Sequence, residues 1–415
     1  MAVLHPDPKP VLSLGAAFVF ATALGARADV VTDWNQIAIR TTEIAGAPVP
    51  VQTRSMAMVH AAIFDAVNGL ERKYTVYAVK LGPMPGASPE AAAAVAAHGV
   101  LIQLYPQQKA LLDAALAASL TRIPEGPART DGVKAGQEVA AQLVALRKND
   151  GAATPQSYTF GTGAGVYQPT PPMNASPILP HWRNVKPFAV NGPKQFPISG
   201  PPAPESPVFA RDFNEVKRLG AGTSGERTNE QTAIAIHWAG SEVPPLNAVA
   251  RAAAAAKGLS LVDSARLFAL LNIAMADSLI VGFDAKYVFN YWRPITAIRN
   301  AGLAKNAAIA AESDWGPLLV TPPHPEYPSA HCLGAGAAVA ILQHVFEGDN
   351  LATSYIYPPL GVLRRWESFS QIEKEVENAR VWAGIHYRTS VEHGTQIGRQ
   401  VAEFILKTQM RPRPN

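Results

Sequence analysis

Apolar residues recur every three to four positions over five N-terminal stretches, 33–45, 51–71, 88–104, 107–122 and 127–148, all rich in Ala, Leu, Gln and Glu. That spacing gathers apolar side chains on one face of a helix and predicts five helices. The pattern returns at 208–219, 228–240, 244–257 and 260–299, and again over 330–346. Ser370 with Glu373 reads as a capping box opening a helix that carries Arg380. A last helix is expected over 390–407 with Ile397, Val401, Phe404 and Ile405 as its buried stripe. Strand-like alternation is scarce and no short repeat is present, so the fold class expected is all-α.

The tract 151–207, rich in Pro, Gly and Asn, separates an N-terminal helical half, 29–150, from a C-terminal half, 208–415. It is too long for an ordinary connection. With Tyr158, Phe160, Tyr167, Trp182, Phe188 and Phe196 it is also too aromatic for a floppy linker, which predicts an ordered loop draped over the helices. Residues 1–28 combine Lys9, an apolar run and Ala26-Arg27-Ala28 before Asp29, the pattern of an export signal, and place the mature protein in the periplasm or outside the cell. The longest later apolar run, 267–283, is interrupted by Asn272 and Asp277, which favours a core helix over a membrane span.

Composition narrows the function classes. At 48% hydrophobic and 16% charged residues the chain is ordinary globular protein, and a net charge of +4 without a basic, aromatic-interleaved cluster disfavours nucleic acid as a partner. The single cysteine, Cys332, excludes an intramolecular disulfide framework and reads as a small packing residue. His60, His98, His237 and His344 lie on apolar helical patterns and read as satisfied core residues.

Three segments carry candidate chemistry. Thr321 to Cys332 contains four prolines and then turns into small helix-compatible residues, so an extended loop should deliver a helix capped by Ser329. The unbonded amides at Ala330 and His331 would then favour an oxyanion. Upstream, Lys286 and Arg293 stand seven residues apart, which at ~100° per residue sets them on one helix face. Downstream, Arg380 and His386 differ by six positions, so the helix must break near Gly384 for both to face one anion. Cations among Tyr287, Tyr291, Trp292 and Trp382 are expected to be paired. A zinc site from His324, His331, His386 and His393 is the weaker alternative, because no HExxH pattern or Cys pair accompanies them.

In order and spacing, Lys286-x6-Arg293-Pro294, Pro328-Ser329-Ala330-His331 and Arg380-x5-His386 resemble the signature of the vanadium-dependent haloperoxidases and of the acid phosphatases that share their site, within the type 2 phosphatidic acid phosphatase superfamily. Ala330 replaces the usual glycine; a residue used through its amide tolerates the change if its φ is negative. The resemblance implies two four-helix bundles and a vanadate cofactor, with phosphate as competing occupant. It implies that Lys286, Arg293 and Arg380 neutralise the oxyanion, that the Ser329 hydroxyl and Ala330 amide hold its equatorial oxygens, that His386 bonds vanadium or attacks phosphorus, and that His331 is the acid–base. The reaction implied uses hydrogen peroxide and halide to halogenate a small organic acceptor. A phosphatase working through a phosphohistidine, and a non-catalytic oxyanion-binding protein, remain open. In the family the position of His324 tends to be His in bromoperoxidases and Phe in chloroperoxidases, so His324 is expected to tune the halide toward bromide or iodide, unless it is a merely exposed loop residue.

Overall fold

The computed structural model describes residues 29–357 and 361–414; the expected leader, 1–28, lies outside them. Among the described residues the first helices are α1 (Val30–Ile44), α2 (Val49–Glu71), α3 (Pro89–Leu104), α4 (Lys109–Leu120) and α5 (Pro127–Arg147). After the loop come α6 (Pro207–Leu219), α7 (Asn229–His237), α8 (Val243–Lys257), α9 (Leu261–Phe289) and α10 (Pro294–Arg299). Then follow α11 (Ala330–Val345), a hairpin of β1 (Asn350–Tyr357) and β2 (Val362–Ser368), α12 (Phe369–Trp382) and α13 (Arg388–Thr408). Local chemistry sets many of the starts: Asp29, Ser88, Ser206, Thr228 and Ser260 each accept an amide of the first turn through the side chain.

Helices α1, α2, α3 and α5 pack as one group and α9, α11, α12 and α13 as another, with α2 laid against α9 where the groups meet. One apolar core runs through both. Helix α9 is long and apolar enough to cross a membrane, but 94% of its apolar window is buried inside the protein. Its polar interruptions explain why it sits there. Asn272 bonds Asn247 of α8, and Asp277 accepts the backbone N–H groups of Phe188, Ala189 and Val190 at 2.6, 2.7 and 3.0 Å. Those bonds tie the 151–207 loop to the core helix, and the Ile178 amide ties it to Pro323 O.

Four features depart from the sequence reading. The helix expected through 299 breaks after Phe289: Asn290 adopts a left-handed conformation (φ 49°), Arg293 is extended, and the helix restarts at Pro294, as expected for a residue preceding proline. Lys286 and Arg293 are therefore not on one helix face. Helix α12 is capped by Ser368, whose hydroxyl accepts Gln371 N, while Ser370 bonds Asp349 instead; β2 runs straight into the helix and leaves extended Ser368 as its first half-turn. The β1–β2 hairpin itself was not expected, because its alternation is short. His344 is exposed on the last turn of α11 and is not a core residue.

The break expected near Gly384 is present, with φ +79° at that glycine. A Cβ there would stand 2.3 Å from Gly220 O, so both the reversal and the close approach require glycine. Helix α13 begins four residues later, with Ile397, Val401 and Ile405 buried as expected and Phe404 partly so.

Candidate active site

The site lies where helix ends meet extended backbone. Lys286, in the last turn of α9, is fully buried, and its ammonium donates to the carbonyls of Pro325 (3.1 Å), Glu326 (3.0 Å) and Pro328. A proline-rich loop cannot join a ladder, so these carbonyls need an outside donor, and one cation serves all three. Arg293, also fully buried, donates from Nε to His324 O (2.9 Å) and from Nη1 to Ile385 O (2.8 Å). The guanidinium thus joins the proline loop to the segment after the Gly384 break, and backbone bonds from Glu326 N to Tyr291 O and from Leu319 N to Ala383 O fasten the same segments. Arg380 donates to Trp238 O, while its Nε has no partner.

Ser329 occupies the N-cap position of α11, but the capping bond expected of it is not made. Its hydroxyl accepts no helix amide and faces the Cys332 thiol, and its own N–H is held by Ser390 O at 3.1 Å. Ala330 opens the helix without a positive φ, so the departure from glycine leaves the turn intact. The first helical bond runs from Leu333 N to Ser329 O, which places the Ala330, His331 and Cys332 amides at the positive end of α11. Burial pushes the Cys332 thiol up to about 12, so it is packing and not a nucleophile.

The two histidines have opposite tautomers. His331 Nε2 faces the Gly240 carbonyl at 2.7 Å, which accepts only, so the neutral ring carries its lone pair on Nδ1. His386 Nδ1 lies 2.7 Å from Glu326 Oε1, and Nε2 lies 3.2 Å from Arg293 Nη1, which donates only. Both imidazoles are held well below their ordinary pKa, first by burial and then by the cations around them: Arg380, Lys286 and Arg293 for His331, and Arg293, Lys286 and Arg380 for His386. They are neutral at pH 7.

His324 is neither exposed nor on a rim. It is 6% exposed, lies 5.7 Å from the Phe283 ring, and presents Nδ1 to Arg293 Nη2 at 3.0 Å; burial, Lys286 and Arg293 keep it neutral. His393 faces the Tyr327 hydroxyl, and among the described residues no group of three His, Cys, Asp or Glu is arranged to hold a metal ion, so the zinc alternative has no support in the structure.

Two residues of the site were not anticipated, Glu242 and Glu326, both fully buried. Burial pushes each carboxyl up to about 7, although Arg293 and Lys286 pull Glu326 down and Arg380 pulls Glu242 down. Burial likewise lowers Arg293 and Arg380 to about 10 and Lys286 well below its usual range, with Arg293's charge adding to the effect on Lys286. Three buried cations against two reluctant carboxylates leave a pocket short of negative charge. Among the described residues, Arg380 Nε and the Ser329 hydroxyl are buried without a hydrogen-bond partner, and the first α11 amides lack an intrahelical one; an oxyanion would use all of these. The one signal for Glu326 in the sequence was its place inside a loop flanked by cations.

Glu242 Oε2 stands 3.6 Å from His331 Nε2. Below about pH 7 the carboxyl is protonated and neutral; above it, a negative charge appears beside the anion pocket. Oxyanion affinity is therefore expected to fall as pH rises through neutrality. Calorimetric titrations of phosphate into wild type and Glu242→Gln check this: the anion's own ionisation cancels in the ratio, and parallel pH profiles would refute it.

The family model for the second helical-bundle domain of VCPO matches residues 266–413, a span that contains all three signature blocks. Vanadium chloroperoxidase from Curvularia inaequalis is 26% identical over 474 residues, covering 86% of this chain and 78% of that protein. A bacterial vanadium-dependent iodoperoxidase superposes with a TM-score of 0.80 at 26% identity, covering 93% of this chain and 98% of that one. A holo-type bacterial vanadium-dependent chloroperoxidase shares the fold, with a TM-score of 0.71 at 18% identity over 91% of this chain and 97% of that one. The domain match, the shared fold and a cradle of buried cations around a neutral histidine agree, and together they support the vanadium haloperoxidase family.

Proposed function

We propose that this protein is a vanadate-dependent haloperoxidase that oxidises bromide or iodide with hydrogen peroxide to hypohalous acid and so halogenates small organic acceptors. The observation that carries the reading is the His386 imidazole, held by Glu326 at Nδ1 and faced by Arg293 at Nε2, in a pocket of three buried cations. Lys286, Arg293 and Arg380 would balance the charge of vanadate, Ser329 and the α11 amides would hold its oxygens, and His386 Nε2 would supply a nitrogen donor. Bound vanadate supplies the Lewis acidity that polarises peroxide toward attack by halide. His331, with Nε2 tied to the Gly240 carbonyl, would offer Nδ1 as the acid–base that accepts and returns a proton in a reaction whose balance is peroxide, halide and one proton to hypohalous acid and water.

Phosphate matches the same donors in charge and shape and is the competing occupant, so a phosphatase working through His386 is the second reading. Protein stripped of anions and incubated with orthovanadate separates them. Peroxide-dependent halogenation of a phenolic reporter is expected, and brisk hydrolysis of p-nitrophenyl phosphate without halide oxidation would favour the phosphatase.

The halide preference rests on His324. Its imidazole contacts Arg293 and keeps a polar, hydrogen-bonding group beside the anion, whereas phenylalanine would dry the pocket and leave peroxide more electrophilic. Wild type should use bromide and iodide in preference to chloride, and His324→Phe should shift the bromide-to-chloride ratio of kcat/KM toward chloride. An unchanged ratio removes His324 from the reaction.

A further inference from the structure

We propose that Glu326 is a positioning residue whose carboxylate accepts the Nδ1 proton of His386 and thereby commits Nε2, with its lone pair, to the oxyanion. Two observations at opposite ends of the ring select the same tautomer. Oε1 of Glu326 lies 2.7 Å from Nδ1, and Arg293 Nη1, which can only donate, lies 3.2 Å from Nε2. A neutral imidazole meets both neighbours in one way, with the proton on Nδ1.

The carboxylate is itself held in place. Oε1 also accepts the Tyr387 amide at 3.1 Å, and the Ser390 hydroxyl faces the carboxylate. The Glu326 backbone is fixed at both ends, its N–H by Tyr291 O at 2.9 Å and its carbonyl by Lys286 Nζ at 3.0 Å. No part of this anchoring depends on solvent, because Glu326 is fully buried.

A plain counter-ion would be placed differently. Lys286 and Arg293 are both within electrostatic reach of Glu326, yet Lys286 donates to three loop carbonyls and Arg293 to the carbonyls of His324 and Ile385. Among the described residues the close ion-pair contact of Glu326 is with His386. The geometry directs the carboxylate to the imidazole and leaves the cations to the anion, the arrangement by which an outer carboxylate orients a ligating histidine.

The inference rests on the vanadate reading only for what Nε2 meets; the tautomer is a property of the protein alone. Two-bond 1H–15N spectra of 15N-histidine-labelled protein without vanadate, assigned with a His386→Gln variant, report which nitrogen carries the proton. Wild type is expected to show Nδ1–H. Glu326→Ala should lose that pattern and raise the vanadate dissociation constant about 10- to 100-fold, while Glu326→Gln, whose amide oxygen still accepts Nδ1–H, recovers most of the loss. An Nε2–H pattern in wild type, or a Glu326→Ala protein with the wild-type spectrum and affinity, overturns the proposal. If Glu326→Ala fails to fold, the wild-type spectrum and the glutamine variant decide. A wild type that binds no vanadate overturns the functional reading, and the spectrum still judges Glu326.

Discussion

His386→Ala is expected to abolish vanadate retention while leaving phosphate binding largely in place. Vanadate held through Nε2 gains a bond to nitrogen that no other group in the pocket can replace, since Lys286, Arg293 and Arg380 contribute charge and Ser329 and the α11 amides contribute hydrogen bonds. Outer residues that merely orient a ligating histidine cost about 10- to 100-fold in affinity when removed, so loss of the nitrogen itself should exceed about 100-fold. Phosphate, held by the cations alone, should weaken far less. The substitution also removes one hydrogen bond of the buried Glu326, which keeps the Tyr387 amide, at a cost of about 1–3 kcal/mol that a thermal melt will register separately. Equilibrium dialysis followed by elemental analysis of vanadium reads the result, and wild-type retention by the alanine variant would exclude His386 as the nitrogen that holds vanadate.

His331→Ala should behave in the opposite way, keeping vanadate and losing turnover. The ring hangs from the Gly240 carbonyl by Nε2, so removing it takes no charge from the cradle. What is lost is the Nδ1 base, neutral because burial and Arg380 hold its pKa well below the usual value. Positioned acid–base groups contribute about 10²- to 10⁴-fold, and kcat for halide oxidation should fall within that range with vanadate affinity unchanged within a few-fold. Since Nδ1 is already unprotonated at pH 7, the wild-type rate should show no inflection near the ordinary histidine value as pH falls from 7 to 6. A His331 variant that loses vanadate, beside a His386 variant that keeps it, would mean the roles are reversed.

Much of this site was legible because its parts are set by chain spacing. Arg380, Gly384 and His386 could be read together, since a six-residue offset on a helix fails unless a glycine reverses the chain, and Gly384 does so. Lys286 and Arg293 come to one region, though not on one helix face: the Asn290 reversal and an extended Arg293 place them there, a break that the proline at 294 signalled and the apolar periodicity concealed. Ser329 was placed at the correct N-cap, but its hydroxyl accepts no helix amide and faces the Cys332 thiol. Glu242 and Glu326 were not legible, because a carboxylate's burial depends on elements far away in sequence; Glu326 meets a histidine sixty positions downstream. His324 resisted for the same reason, since a histidine between prolines reads as exposed until Arg293 and Phe283 close over it.

The main-chain lacing beneath the pocket bears on how such a protein can diverge. Tyr291 O holds Glu326 N, Ser390 O holds Ser329 N, Ala383 O holds Leu319 N, and the cationic side chains grip carbonyls, with Arg293 reaching the His324 and His386 rings as well. Backbone atoms are common to every residue type, so the neighbours that supply them can be exchanged without disturbing where the cations and imidazoles point. Side-chain exchange at those backbone-donating positions is then less constrained than at the ionic and imidazole side chains, the two left-handed reversals and the helix start. A superposition of 0.80 at only 26% identity is the outcome such a construction permits, and the inherited quantity is the path of the chain more than the list of its residues.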